Sequence, residues 1–398
     1  MNILFISKYP PIEGGVASRN YWLTRALGAR GINIHVITNA LAVEEMWREE
    51  LDLSDPRVME RFKPDHVHIH SLKIDPPHHI PYSQAYLSRM VNLGLKIIGE
   101  HGADLIDAHY LEPYGTAGFV IKQITGLPLI IKHAGSDMYR LFQHKEFRYF
   151  LGRVLQGADG LFLSKSLYPL ARELDINPKK LISLAKRPID DSVFTPHAVP
   201  FDFSEKNITI PKEIPIITYM GKANTNKGIS EVIRSLSRIN KDFRLLFVSK
   251  GKKLNDFKEE IRSLGLEDKV IYLDFVPPWV VPRILRSTSA LLHLENDFPI
   301  PIHSPIQPFE AIASQTPLIL SREIFDKIKS SFPANAEHFN VVEKISDQDE
   351  LTRMFLRIFD SSHALQENAK TIREEFLQRN DWDAYIDSYI AMYESFVR

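Results

Sequence analysis

The sequence predicts an α/β protein built from two facing domains, each a parallel sheet covered by helices on both faces, with a cleft between them. Three observations predict it. The chain has 398 residues, more than one compact core organises well and a natural length for two domains. Short continuous apolar runs alternate with helical or loop patterns, as expected of parallel strands buried on both faces. The alternation lapses once, between Phe194 and Pro215, and then restarts.

Taken in order, Ile3 to Ile6 reads as a buried strand, followed by a Pro/Gly loop from Pro10 to Gly15 and a helix from Ala17 to Ala29. Gly31 ends that helix and Ile32 to Ile37 is the second strand. Further strands are expected at Val67–Ile69, Leu105–Ala108, Leu129–Ile131 and Leu161–Leu163. The first domain is thus assigned to residues 1–195 and an interdomain linker, irregular and rich in Pro, Asp and Lys, to 196–214. The second domain, 215–381, carries expected strands at Ile216–Met220, Leu245–Val248, Val270–Leu273, Ala290–Leu294 and Leu318–Leu320. An amphipathic helix over 382–398, with Trp382, Tyr385, Tyr389, Met392 and Tyr393, is expected to return to the first domain.

Composition narrows the function classes. Hydrophobic residues make up 44% and charged residues 25%, with a formal net charge of −1. That is the balance of a soluble globular protein without the global field that gathers nucleic acid or anionic lipid. There is no cysteine, which removes disulfides, thiolate nucleophiles and Cys-based zinc sites. The opening apolar run is too short and lacks the basic flank of a signal peptide, and no run of about 18 apolar residues exists, so a cytoplasmic protein is expected.

Four segments carry candidate chemistry. Gly221-Lys222-Ala223-Asn224-Thr225-Asn226-Lys227-Gly228 lies between a strand and a helix, where parallel sheets bind ligands. Two ammonium groups there neutralise a diphosphate without a metal, although most lysines are simply solvated. Ser304-Pro305-Ile306-Gln307-Pro308-Phe309-Glu310-Ala311 opens a later helix, whose free N–H groups and dipole favour an anion. Glu310, one turn in, is placed to accept both hydroxyls of a ribose; first-turn glutamates also do ordinary dipole work. Lys132-His133-Ala134-Gly135-Ser136-Asp137 puts a histidine at a strand end, and Gly14-Gly15 lets backbone approach a phosphate or sugar or merely makes a turn.

In this order the four segments resemble the retaining glycosyltransferases of family 4, which have the GT-B fold of two Rossmann-like domains. The resemblance covers most of the chain. It takes in Asp107-Ala108-His109-Tyr110 and the phrase Arg187-Pro188-Ile189-Asp190-Asp191-Ser192-Val193-Phe194-Thr195-Pro196 as well. It implies catalytic roles for His133, Lys222 and Lys227. Donor contacts are implied at Gly14, Gly15, Val276, Glu295, His303, Ser304, Ile306, Gln307 and Glu310, besides both lysines, and acceptor-side positions at His109 and Asp137. It also implies a nucleotide-sugar donor, UDP-sugar before GDP-sugar, a glycan, lipid-linked or small-molecule acceptor, and neither metal nor other cofactor. Two departures stand out. The family usually has arginine at Lys222, whose fork lysine lacks. The earlier of the family's two signature glutamates falls on Ile302, which cannot bind sugar hydroxyls; Glu295, Asn296, Asp297 and His303 lie nearby.

The residues admit other readings. His66, His68 and His70 alternate along an expected strand, followed by His78 and His79; three imidazoles on one face suit zinc, a cleft lining or plain exposure. The stripe Leu87, Met90, Val91, Leu95 and Ile98 within Tyr86 to Ile98 suits core packing, or peripheral contact with a membrane or lipid-linked acceptor. The first strand is not followed by Gly-x-Gly-x-x-Gly, against a nicotinamide-dependent dehydrogenase. A nucleotide-sugar epimerase of the same architecture and a non-catalytic sugar-nucleotide-binding protein remain the alternatives.

Overall fold

The computed structural model describes the whole chain except residues 40–50, 52–54, 73–84, 134, 184–187, 252, 301–304 and 398, and the side chains of 56, 85, 86 and 136. It divides into two compact units, Met1–Arg187 with Ile300–His303 and Asp383–Arg398, and Pro188–Pro299 with Ser304–Trp382.

The first unit is a six-stranded parallel sheet of β1 (Asn2–Ser7), β2 (Asn33–Thr38), β3 (Val67–Ser71), β4 (Leu105–His109), β5 (Leu129–Lys132) and β6 (Gly160–Phe162). Their spatial order is β3-β2-β1-β4-β5-β6. β1, β4 and β5 are buried along almost their entire length, which explains why β1 and β5 read as apolar runs rather than alternating ones, while β4 carries the buried Asp107 in its middle. The stripe on the helix Ala85–His101 faces the core: Met90 and Val91 are buried, and Leu87, Leu95 and Ile98 pack against the same cluster.

The last helix, Trp382–Val397, joins this unit. Arg30 pairs with Asp383 and Asp387 on its surface. Inside, Tyr393 donates to Asp107 Oδ2 at 2.6 Å, and Tyr389 stacks on Phe162 with ring centroids 5.6 Å apart. Lys132 is 5% exposed, its ammonium 5.1 Å from the Phe162 and Tyr389 rings. Burial pushes the Asp107 carboxyl up, but His109, Tyr393 and Lys132 more than offset this and hold it below the usual carboxylate range.

The second unit repeats the plan with β7 (Ile216–Met220), β8 (Arg244–Val248), β9 (Val270–Leu273), β10 (Ala290–His293), β11 (Leu318–Ser321) and β12 (Asn340–Val342). The order is β12-β11-β10-β7-β8-β9, all parallel. The edge strand β12 is not legible in the sequence, since three residues at a sheet edge leave too short an apolar run to register. Residues 196–214, expected as a linker, are tied to this unit. Phe201 N donates to the Arg283 carbonyl and to Ser287 Oγ, and Phe203, Ile208 and Ile210 pack on the cluster of Phe201, Leu246, Val248 and Ile271.

Candidate functional site

In a parallel sheet, ligands gather beyond the C-terminal ends of the two strands where the order reverses, because the loops there lead away to opposite faces and leave a crevice. In the second unit those strands are β7 and β10. The loop after β7 carries Lys222 and Lys227, and the segment after β10 carries Glu295. All three therefore leave the sheet at its switch point.

The lysine loop is held by backbone hydrogen bonds. Gly221 N donates to the Val248 carbonyl, Ala223 N to that of Lys250, and the Tyr219 hydroxyl to that of Lys222. Asn224 caps the 3₁₀ turn Thr225–Lys227. Gly228 follows at φ +68° and opens the helix Ile229–Ser237. A Cβ there would meet the Leu294 carbonyl at 2.9 Å, so only glycine lets this loop close against the end of β10. Lys222 is exposed. The Lys227 ammonium pairs with Glu295 and lies 5.0 Å over the Phe298 ring.

Gln307 and Glu310 stand on the short helix Gln307–Ala313. Gln307 Nε2 donates to the Met220 carbonyl at 3.0 Å, so its oxygen must be the atom facing His293 Nδ1 at 2.9 Å. His293 Nδ1 therefore carries a hydrogen, and Gln307 braces the ends of β7 and β10. Glu310 is 5% exposed, and burial pushes its carboxyl up to about 7. No hydrogen bond to that carboxylate occurs among the described residues. Ile306 precedes the helix and is half-buried, while Val276 packs its side chain against the Phe201 cluster. His303 and Ser304 lie outside the described residues, as does Ile302.

In the first unit the order reverses between β1 and β4. Gly14, at φ +123°, caps the helix Gly15–Ala29, and Gly15 is exposed at its first turn. His133 follows β5 and meets two backbone donors, Gly135 N at Nδ1 (2.8 Å) and Ser164 N at Nε2 (2.9 Å). Burial holds its pKa below the usual value, Asp137 opposing and Lys132 assisting. Two N–H groups aimed at the ring also disfavour the imidazolium, which has no lone pair to accept either.

His109 is buried: its Nδ1 faces Asn20 Oδ1 at 2.7 Å and its Nε2 faces Asp107 Oδ2 at 3.0 Å. Asp137 is 3% exposed and accepts from Leu111 N at 2.8 Å, bracing the turn after β4. Neither internal engagement is visible in the sequence, because the partners lie on distant segments.

The histidine run differs from its expected geometry. His66 stands before β3 at φ +60°, so it does not share a face with His68 and His70. Those two stack instead on His35 of β2, with His101 also against it at 4.7 Å. Among the described residues no group of three or more histidines or carboxylates converges on a metal position. His78 and His79 lie outside those residues.

Two family models match the chain, one described as glycosyl transferases group 1 over residues 200–371, the other as a glycosyl transferase 4-like domain over residues 14–180. The chain belongs to the group 1 glycosyltransferases. This glycosyltransferase is 22% identical over 279 residues to the N-acetyl-alpha-D-glucosaminyl L-malate synthase of Bacillus anthracis, a match covering 67% of the chain and 66%, just under two thirds, of that relative. Among solved structures it is similar to sucrose-phosphate synthase from Thermosynechococcus elongatus (TM-score 0.69, 18% identity, 99% of this chain and 98% of that one). It is also similar to Anabaena HepE in complex with UDP and glucose (TM-score 0.66, 12% identity, 99% and 100% covered). These neighbours share the GT-B fold, and the two six-stranded parallel sheets of this glycosyltransferase agree with it.

Proposed function

We propose that this glycosyltransferase moves a sugar from a nucleoside diphosphate donor, UDP-sugar before GDP-sugar, to a glycan, lipid-linked or small-molecule acceptor, with retention at the anomeric carbon. The observation that carries the reading is Glu310, a buried carboxylate that no described residue satisfies, one turn along the helix whose Gln307 bridges the ends of β7 and β10. A carboxyl so placed is costly to the protein alone and is satisfied by a diol that donates two hydrogen bonds. The ribose of a nucleotide is such a diol, and the diphosphate attached to it calls for cations. Anabaena HepE, of the same fold, was solved with UDP.

In the proposed reaction the bond from the anomeric carbon to the diphosphate oxygen breaks, and the acceptor oxygen bonds to the same face of that carbon. The acceptor's proton passes to the departing phosphate oxygen. Lys222 and Lys227 stabilise the charge that grows on the diphosphate, a contribution realised in the transition state. His133 is the first unit's candidate contact for the donor sugar or its phosphate, with Gly14 and Gly15; such a contact requires Gly135 N or Ser164 N to give up its place at the ring. Since lysine charge serves the leaving group, no divalent metal enters the scheme.

Calorimetric titration with UDP, GDP and their 2′-deoxy forms tests the reading. Native protein is expected to prefer UDP and to discriminate strongly against the 2′-deoxy form. Glu310→Ala is expected to weaken UDP and UDP-sugar alike. Normal UDP binding by that variant, with weakness only toward the sugar-bearing donor, would move Glu310 to the sugar pocket. NMR of the product anomer decides retention.

A further inference from the structure

Glu295 leaves β10 and is 1% exposed, yet it carries a charge partner. Its Oε1 pairs with the Lys227 ammonium, and His293 Nε2 lies 3.7 Å from the same oxygen. The backbone fixes both ends of this pair. Asn296 N donates to the Asn226 carbonyl at 3.0 Å, Ser321 Oγ donates to the Glu295 carbonyl, and Gly228 closes on Leu294. Phe298 covers the ammonium from one side and lies under that of Lys327 as well, 5.7 Å from its ring centre.

We propose that Glu295 is a positioning residue, which acts on the donor through Lys227 rather than by touching the sugar. The inference rests on reading the second unit as the nucleoside diphosphate site. A carboxylate buried this deeply does not surrender the ammonium paired with it when a ligand arrives, because a buried charge that loses its partner is far costlier than a paired one. Lys227 therefore keeps Glu295 and turns its remaining N–H groups to the diphosphate. Two consequences follow from the charges. The ammonium is fixed in direction, which a flexible four-carbon stem does not achieve alone. Its field is also partly cancelled, so the site holds the diphosphate less tightly than two free lysines would and releases it more readily. The missing first signature glutamate at Ile302 is then not replaced by Glu295.

Glu295→Gln keeps the shape and removes the charge. Its expected effect is a UDP dissociation constant about 3–10-fold lower at low salt, with a steeper salt dependence and a lower kcat as product leaves more slowly. Inorganic pyrophosphate is expected to follow UDP. Unchanged UDP affinity with weaker UDP-sugar would mean that Glu295 touches the sugar, and parallel loss of UDP affinity and thermal stability would mean a purely structural role; either overturns the proposal. The pair itself is tested without ligand by urea unfolding of Lys227→Met, Glu295→Met and the double variant. Each single change is expected to destabilise and the double to recover most of the loss; additive losses overturn the proposal. A native protein that binds neither UDP, GDP nor pyrophosphate, alongside a coupled cycle, would sink the nucleotide reading while the ion pair stands.

Discussion

Glu310 makes the functional reading testable through stability alone. Its carboxyl is pushed by burial from 4.5 to about 7 in the folded protein. The unfolded chain therefore releases this proton near 4.5, while the folded protein retains it to about 7. Because the folded pKa is the higher one, rising pH between these values favours the unfolded state. At about 1.4 kcal/mol per pH unit over about 2.5 units, the native protein loses about 3 kcal/mol, and the loss is complete above pH 7. Glu310→Gln removes the titration. Whatever constant offset the buried amide introduces, the stability difference between variant and native protein should shift by about 3 kcal/mol in the variant's favour from pH 4.5 to pH 8. Urea unfolding at pH 4.5, 6 and 8, analysed for the second unit, measures it. A difference that stays constant with pH would refute the reasoning, since the carboxylate would then have an internal partner. Ribose hydroxyls donate to the ionised form, so UDP binding at pH 6 should release a proton. Calorimetry in buffers of different ionisation enthalpy reads that release directly.

Four further outcomes are expected. Gly228→Ala forces a side chain into positive φ against the Leu294 carbonyl, so the second unit should lose about 1–3 kcal/mol and UDP binding should weaken with it; native-like melts would contradict the packing. Tyr393→Phe removes the 2.6 Å bond to Asp107 and should cost the first unit about 1–3 kcal/mol in urea unfolding. Burial and the neighbouring His68, His70 and His101 lower the His35 pKa to about 4, so the first unit should lose about 1–3 kcal/mol as pH falls from 6.5 toward 4, and His35→Phe should flatten that fall. Transfer activity should survive EDTA; loss restored by magnesium or manganese would put a cation in the leaving-group scheme.

The strands were legible because burial on both faces leaves runs such as Ile3 to Ile6 and Leu129 to Ile131 without a polar interruption. β12 escaped because Asn340, Val341 and Val342 are too few to make a run. In the site, the Lys222–Lys227 loop was visible from its glycines and its place after a strand. The use of each charge was not. Whether Lys227 faces a phosphate or Glu295 depends on how β7 and β10 lie side by side, although 68 positions separate the two residues. His109 and Asp137 show the same limit. Their type and position suggested a ligand; that both His109 ring nitrogens face Asn20 and Asp107, and that one Asp137 oxygen accepts from the Leu111 amide, depends on contacts between distant segments.

The last helix also sets a timetable. Asp107 is made 286 positions before the tyrosine whose hydroxyl it accepts. At about 5–20 residues per second of synthesis, some 15–60 s separate the two, and the entire second unit emerges in the interval. For that time the first sheet stands with a polar seam open to water, its Lys132 and Asp107 lacking the aromatic cover that later excludes solvent. The second unit is, in effect, an insertion into a domain still awaiting its final piece. A second unit that misfolds and traps residues 382–397 leaves the first unit unsealed, so the earlier-made half of the molecule is completed only when the later half succeeds.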